Sequence, residues 1–191
     1  FTPQGSSYSR YEKHILMPGG EYLPFSWLTA FAKEYGITGA FTPGEGPKVF
    51  TMKKSLLRCG MLICSEELYG EYTRAYRSLG ADILVSIHND VWFPHSRLPE
   101  SHATHGRIRA VENGLPLLRA TNTGITAAFD SCGSVLVQQK DVWKSEVVTC
   151  SLPLATHATL YSCCGDFLIM GISLLNIIAW ITYGRHKTSR R

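Results

Sequence analysis

With 191 residues, 45% hydrophobic and 18% charged, the chain can bury a core of its own, which excludes an intrinsically disordered protein. The formal charge of +4 is concentrated at one end, where residues 185–191 hold Arg185, Lys187, Arg190 and Arg191. Without that tail the body is close to neutral and has no basic patch interleaved with aromatics, which argues against a nucleic-acid binder.

The six cysteines, Cys59, Cys64, Cys132, Cys150, Cys163 and Cys164, have spacings that suit neither zinc nor a dense disulfide scaffold, so no metal is expected. The chain starts at Phe1, and the polar residues 1–8 read as a loop cut from a longer protein.

In chain order, residues 26–35 form an amphipathic pattern, with Ser26 as N-cap and Gly36 just past the end, and predict a short helix. Residues 39–48 carry Gly39, Pro43, Gly44, Gly46 and Pro47 and read as a loop. The apolar run 56–64 predicts a buried strand, and 67–79 a helix with Leu68, Tyr72, Ala75 and Leu79 on one face. Residues 81–88 predict another strand, 101–113 a helix stopped near Gly114 and Pro116, and 116–120 a third strand. Runs 125–129 and 134–138 flank Asp130-Ser131-Cys132-Gly133, a hairpin turn, and 146–152 reads as a last strand. Strands alternating with helices predict an α/β domain.

Residues 167–183 differ in kind: seventeen residues without a charge, Trp180 and Tyr183 near one end, and the basic tail directly after. That pattern predicts one C-terminal transmembrane helix, with the cationic tail in the cytoplasm and the α/β domain on the opposite side.

Two segments carry groups suited to chemistry. Cys64 ends a strand-like run just before a predicted helix, where a helix N-terminus would favour the thiolate. Lys13, between Glu12 and His14, could stabilise a developing oxyanion. Pro18-Gly19-Gly20 then turns the backbone so that Glu21 can return to Lys13 and form an ion pair.

Together these motifs resemble the nitrilase superfamily and, within it, the apolipoprotein N-acyltransferase family. Tyr11-Glu12-Lys13-His14 with Pro18-Gly19-Gly20-Glu21 is similar to that family's lysine segment, and Ile63-Cys64-Ser65-Glu66 to its nucleophile segment. Asn89-Asp90-Val91-Trp92-Phe93, Arg109-Ala110-Val111-Glu112-Asn113 and Arg119-Ala120-Thr121-Asn122-Thr123-Gly124-Ile125-Thr126 resemble its later motifs. Thr159-Leu160-Tyr161 with Gly165-Asp166-Phe167 resembles the entry to its last membrane helix.

The resemblance implies the C-terminal portion of a nitrilase-like α-β-β-α sandwich over residues 1–160, a transmembrane helix with its entry segment over 161–184 and a basic cytoplasmic tail over 185–191. It implies an acyltransferase of the bacterial inner membrane, with its catalytic domain on the periplasmic side. Cys64 would take a fatty acyl chain from a phospholipid as a thioester and pass it to the N-terminal amino group of a diacylglyceryl-cysteine lipoprotein. Lys13 and the backbone N–H of Ser65 would hold the oxyanion, Glu21 would orient Lys13 or the substrate, and Glu66 would support the nucleophile loop. Trp92 and Phe93 would line the acyl approach, and Arg109, Glu112 and Asn122 would be structural. No cofactor enters this chemistry.

The pattern departs from the family at Ser65, usually aromatic, at Gly19, usually Phe, and at Cys163, often Arg. The family's general-base glutamate precedes its lysine, but here only Glu12 does, and Glu100 follows the nucleophile. Residues 1–191 alone are therefore expected to be inactive. The alternatives are a soluble nitrilase-like amidase fragment and an inactive remnant.

Overall fold

The computed structural model describes residues 9–25, 41–91, 96–139 and 144–188, the last five as backbone alone. The expected helix at 26–35 lies outside these residues, as do Trp92 and Phe93.

Six strands form one mixed sheet in the order β1 (Val49–Thr51), β2 (Arg58–Ile63), β3 (Ile83–His88), β4 (Leu117–Thr121), β5 (Ala127–Phe129) and β6 (Val135–Gln138). The central trio β2, β3 and β4 is parallel, while β1, β5 and β6 add antiparallel edges. Parallel neighbours need crossovers, and two helices supply them: α1 (Gly70–Ser78) and α2 (Leu98–Asn113). Gly114 ends α2 in the left-handed conformation, at φ 58°.

One face of the sheet is covered. Leu62, Leu84 and Leu117 pack with Tyr76 of α1 and with Ala103 and Ala110 of α2 in a single core. The other face is more open and also apolar. Met61 stands beside Val85 and Ile63 beside Ile87, and Val85 and Ile87 in turn register with Leu118 and Ala120. Ile87 and Ala120 are exposed there, and the other four are half-buried.

The expected strands at 56–64, 81–88 and 116–120 are present with trimmed ends, and so is the hairpin around Asp130. Two of these expectations need correction. Residues 146–152 form no strand: the sheet ends at β6, they pair with no neighbour, and Val147 is 89% exposed. The helix expected from 67 begins at Gly70, because residues Cys64–Leu68 first make a 3-10 turn. Strand β1 is an addition, three residues long.

Past the sheet, Thr159 caps the short helix α3 (Leu160–Cys164). Its hydroxyl accepts from the Ser162 N–H (2.9 Å), and the Ser162 hydroxyl accepts from the Thr159 N–H (2.9 Å). The Thr159 hydroxyl also donates to the Glu112 carbonyl, which docks this entry segment on α2. Helix α4 (Phe167–Thr188) then runs 22 residues, and every side chain from 167 to 183 is exposed, apolar ones on all faces. Among the described residues no helix is long and apolar enough to cross a membrane. The uncharged stretch 167–183 reaches about 26 Å at about 1.5 Å per residue, short of a hydrocarbon layer of about 30 Å.

Candidate active site

Strand β2 delivers Cys64 to the carboxyl end of the sheet. There the backbone turns sharply, and Cys64 takes φ 53°, a left-handed conformation that costs a non-glycine residue roughly 1–2 kcal/mol. The turn leaves Cys64 half-buried, with Ser65 and Glu66 packed beneath it. A strained strand-to-turn junction that presents a nucleophilic side chain is a recurring way to expose a reacting atom. The helix-dipole expectation fails, however: Cys64 opens a 3-10 turn of five residues rather than an α-helix.

The lysine arm is a loop. Lys13 Nζ donates to both Glu21 oxygens (2.8 and 2.7 Å), and its side chain is only 10% exposed. Glu21 also accepts from the Met17 N–H (2.7 Å), which fixes the carboxylate from behind. The Pro18-Gly19-Gly20 turn that returns Glu21 closes through the Glu21 N–H to the Met17 carbonyl (2.8 Å), with Gly19 at φ 78°. Gly19, in a conformation that favours glycine, therefore lets the turn close.

Glu66 joins the two arms. Completely buried, it accepts from Tyr11 Oη (2.7 Å) and from the N–H groups of His14 (2.6 Å), Ile15 (3.2 Å) and Ile63 (2.8 Å). Three of those donors belong to the lysine arm and one to the strand that ends at Cys64. The carboxylate is saturated with donors, which suits a positioning group rather than a proton carrier. Around it Tyr11 shares hydrogen bonds with Tyr72 (2.7 Å) and Tyr76 (3.1 Å), and His14 stacks on Tyr72. Burial, with the bonds to Tyr72, Tyr76 and Glu66, drives the Tyr11 hydroxyl far above its ordinary value. Burial raises Tyr76 likewise.

The neighbouring Glu67 faces the other way. Also completely buried, it accepts from Arg119 and from the Ser86 hydroxyl (2.9 Å), and it lies 3.0 Å from His88 Nε2. Arg119 Nη2 reaches Asp90 Oδ2 (3.0 Å), and Asp90 Oδ1 bonds His102 Nδ1 (2.9 Å). Burial raises the Asp90 carboxyl, but His102 and Arg119 outweigh it, and the net direction is down. Burial lowers His88. A side chain at Gly124 would strike the Asp90 carboxylate, which explains a glycine there.

The fold thus brings Lys13 to Glu21, and ties Glu66 to both arms, where the sequence placed it with the nucleophile loop alone. Arg109 pairs with Glu112 (3.0 Å), and Asn122 bonds Asn89 (2.7 Å). Glu100 is exposed on the first turn of α2, and Ser65 is buried with its hydroxyl unpartnered. Sequence reasoning missed the tyrosine cluster and the Glu67–Arg119–Asp90 network, although Tyr11, Asp90 and Arg119 lie within its motifs.

A half-buried thiol at a strained turn, tied through a buried glutamate to a lysine–glutamate pair on a mixed α/β sheet, defines a thiol enzyme-like site. The chain belongs to the carbon-nitrogen hydrolase family, whose sequence signature matches residues 1–161. An apolipoprotein N-acyltransferase of Chlamydia trachomatis is 37% identical over 189 residues, 93% of this chain and 34% of that protein. One from Haemophilus influenzae is 35% identical over 182 residues, again 93% of this chain and 34% of that protein. The chain therefore spans about a third of the length of these curated relatives. A solved carbon-nitrogen hydrolase from Helicobacter pylori shares the fold, with TM-score 0.53 and 22% identity over 60% of this chain and 46% of that one.

Proposed function

We propose that these residues are the nucleophile-and-lysine portion of an apolipoprotein N-acyltransferase. The observation that carries this reading is Glu66, which pins the Lys13 arm and the Cys64 turn to one point. The Cys64 thiolate attacks the carbonyl carbon of a phospholipid ester, and the tetrahedral oxyanion rests on Lys13 and the Ser65 backbone N–H. The intermediate collapses, the lysophospholipid alkoxide leaves with a proton, and the acyl chain remains on Cys64 as a thioester. The amino group of a diacylglyceryl-cysteine then attacks that thioester, forms the amide and releases the thiol. Lys13 and Cys64 touch the reacting atoms. Glu21 and Glu66 are positioning residues.

The glutamate that deprotonates the thiol comes from outside residues 1–191, which alone turn over no substrate. The open apolar sheet face of Met61, Ile63, Val85 and Ile87 supports this: it is the surface on which the rest of an α-β-β-α sandwich would pack. Helix α4 supports a bilayer location, because an apolar surface on every side has no favourable place in water. Its uncharged stretch, about 26 Å long, is a few Å short of the hydrocarbon layer, a mismatch that local thinning of the bilayer absorbs at modest cost. The tail is then cytoplasmic, the site periplasmic, and the enzyme one of the inner membrane.

The test joins residues 1–191 to the preceding two thirds of the Chlamydia trachomatis relative and supplies phospholipid with a diacylglyceryl-cysteine peptide. Acyl transfer is expected, abolished by Cys64→Ala and reduced about 10²–10³-fold by Lys13→Ala. No transfer, or transfer that survives Cys64→Ala, defeats the reading. Extraction without detergent would defeat its membrane part.

A further inference from the structure

Behind the nucleophile turn, the end of β3 and the first half of α2 place His88, Asp90 and His102 together, all buried, with one potential ligand atom of each within 4.8 Å of the others. His88 Nε2 faces the Glu67 carboxylate (3.0 Å) and the Ser86 oxygen (2.8 Å). The Ser86 hydroxyl hydrogen is already given to Glu67 (2.9 Å), so Nε2 must carry the proton that donates there. In the neutral ring Nδ1 is then a bare lone pair. It is fully buried, has no hydrogen-bond partner and lies 3.9 Å from Asp90 Oδ1. Two acceptors face each other in the core with nothing shared between them, an arrangement that costs energy unless a cation sits there.

The spacing suits a small metal ion. Zinc–nitrogen and zinc–carboxylate bonds of about 2.0–2.2 Å span ligand pairs up to about 4.3 Å apart, which covers the 3.9 Å between His88 and Asp90, and a shift of at most a few tenths of an ångström brings His102 within the same reach. His102 Nδ1, 2.9 Å from the same Asp90 oxygen, supplies the third ligand once its proton is displaced. Charge agrees: Glu67 and Asp90 share one guanidinium, Arg119, so with neutral imidazoles the cluster holds one negative charge in excess. Two imidazoles and one carboxylate select zinc, cobalt or nickel over calcium or magnesium.

The geometry points to a buried transition-metal site formed by His88, Asp90 and His102, which clamps the end of β3 to α2. The site does not depend on the acyltransferase reading. It takes no part in the acyl transfer: its metal fixes the strand behind the Cys64 turn through the Glu67 network.

The test uses the whole chain in detergent, stripped with chelator and with its cysteines alkylated, and titrates it with Co²⁺ alone. One equivalent is expected to bind with a visible d–d spectrum and a raised melting temperature. X-ray absorption on the Zn²⁺ form, without alkylation, is expected to show nitrogen and oxygen ligands only, at about 2.0–2.1 Å. His88→Gln and His102→Gln should each weaken Co²⁺ binding at least tenfold. Absence of stoichiometric binding, binding unchanged in the His88→Gln, His102→Gln double variant, or sulfur ligands near 2.3 Å would overturn the site. Where a variant fails to fold, the absorption spectrum of the unaltered protein decides alone.

Discussion

Glu66 and Glu67 are adjacent, equally buried, and solvated in opposite ways. Glu66 is held by neutral donors, three backbone N–H groups and a tyrosine hydroxyl, most of them on a distant loop. Glu67 is held by charge: Arg119, which it shares with Asp90. The 3-10 turn aims the two side chains to opposite sides, so one residue anchors the lysine arm and the next anchors the sheet. The contrast separates two functions that the Cys64 turn needs, a distant loop held close and a charged floor beneath.

The largest expected effect is on the charged side. Arg119→Met leaves Glu67 and Asp90 buried without a counter-charge and should cost about 3–5 kcal/mol in urea denaturation. A loss below about 1 kcal/mol would mean that the guanidinium is not the floor's main support. On the neutral side, Glu66→Gln keeps the shape but turns an amide NH2 toward backbone N–H groups, at a cost of about 2–3 kcal/mol. In the whole enzyme it should also lower acyl transfer more than Arg119→Met does at equal folded fraction, because it releases the lysine arm. If the two variants lose activity in proportion to stability alone, the division of labour fails.

Tyr11→Phe removes one donor from Glu66 and should cost about 1 kcal/mol. It also has a pH signature. Because burial raises the folded hydroxyl above its ordinary 10.0, its contribution is full below pH 10.0 and is lost as pH rises beyond. Alkaline unfolding should be shallower in the variant, with Tyr76 supplying the remainder. An unchanged alkaline limb would contradict the assignment. The smallest effect belongs to Asp82→Asn at the Arg58–Asp82 pair on the surface, under about 1 kcal/mol, and it serves as a control for charge removed outside the core.

Much of this fold could be read from the chain. The parallel strands announce themselves as apolar runs, and α2 by its stop at Gly114. Local pattern failed where pairing decides: Val49–Thr51 becomes a strand because it pairs with β2, and 146–152 runs past β6 without joining the sheet. The lysine–glutamate pair was legible because a turn of a few residues closes it. The role of Glu67 was not, since Arg119 reaches it from a strand far along the chain, and Asp90, past the end of β3, meets it only through that guanidinium. The left-handed Cys64 is likewise a product of packing, because nothing in Ile63-Cys64-Ser65 asks for a positive φ.

The central claim is that Cys64 receives the acyl group. It is tested most directly by incubating the length-restored chain with phospholipid and no acceptor, then mapping the adduct by peptide mass spectrometry. The account predicts a hydroxylamine-labile acyl group on the Cys64 peptide, absent in Cys64→Ala. An acyl group on another cysteine, or none at all, would contradict it.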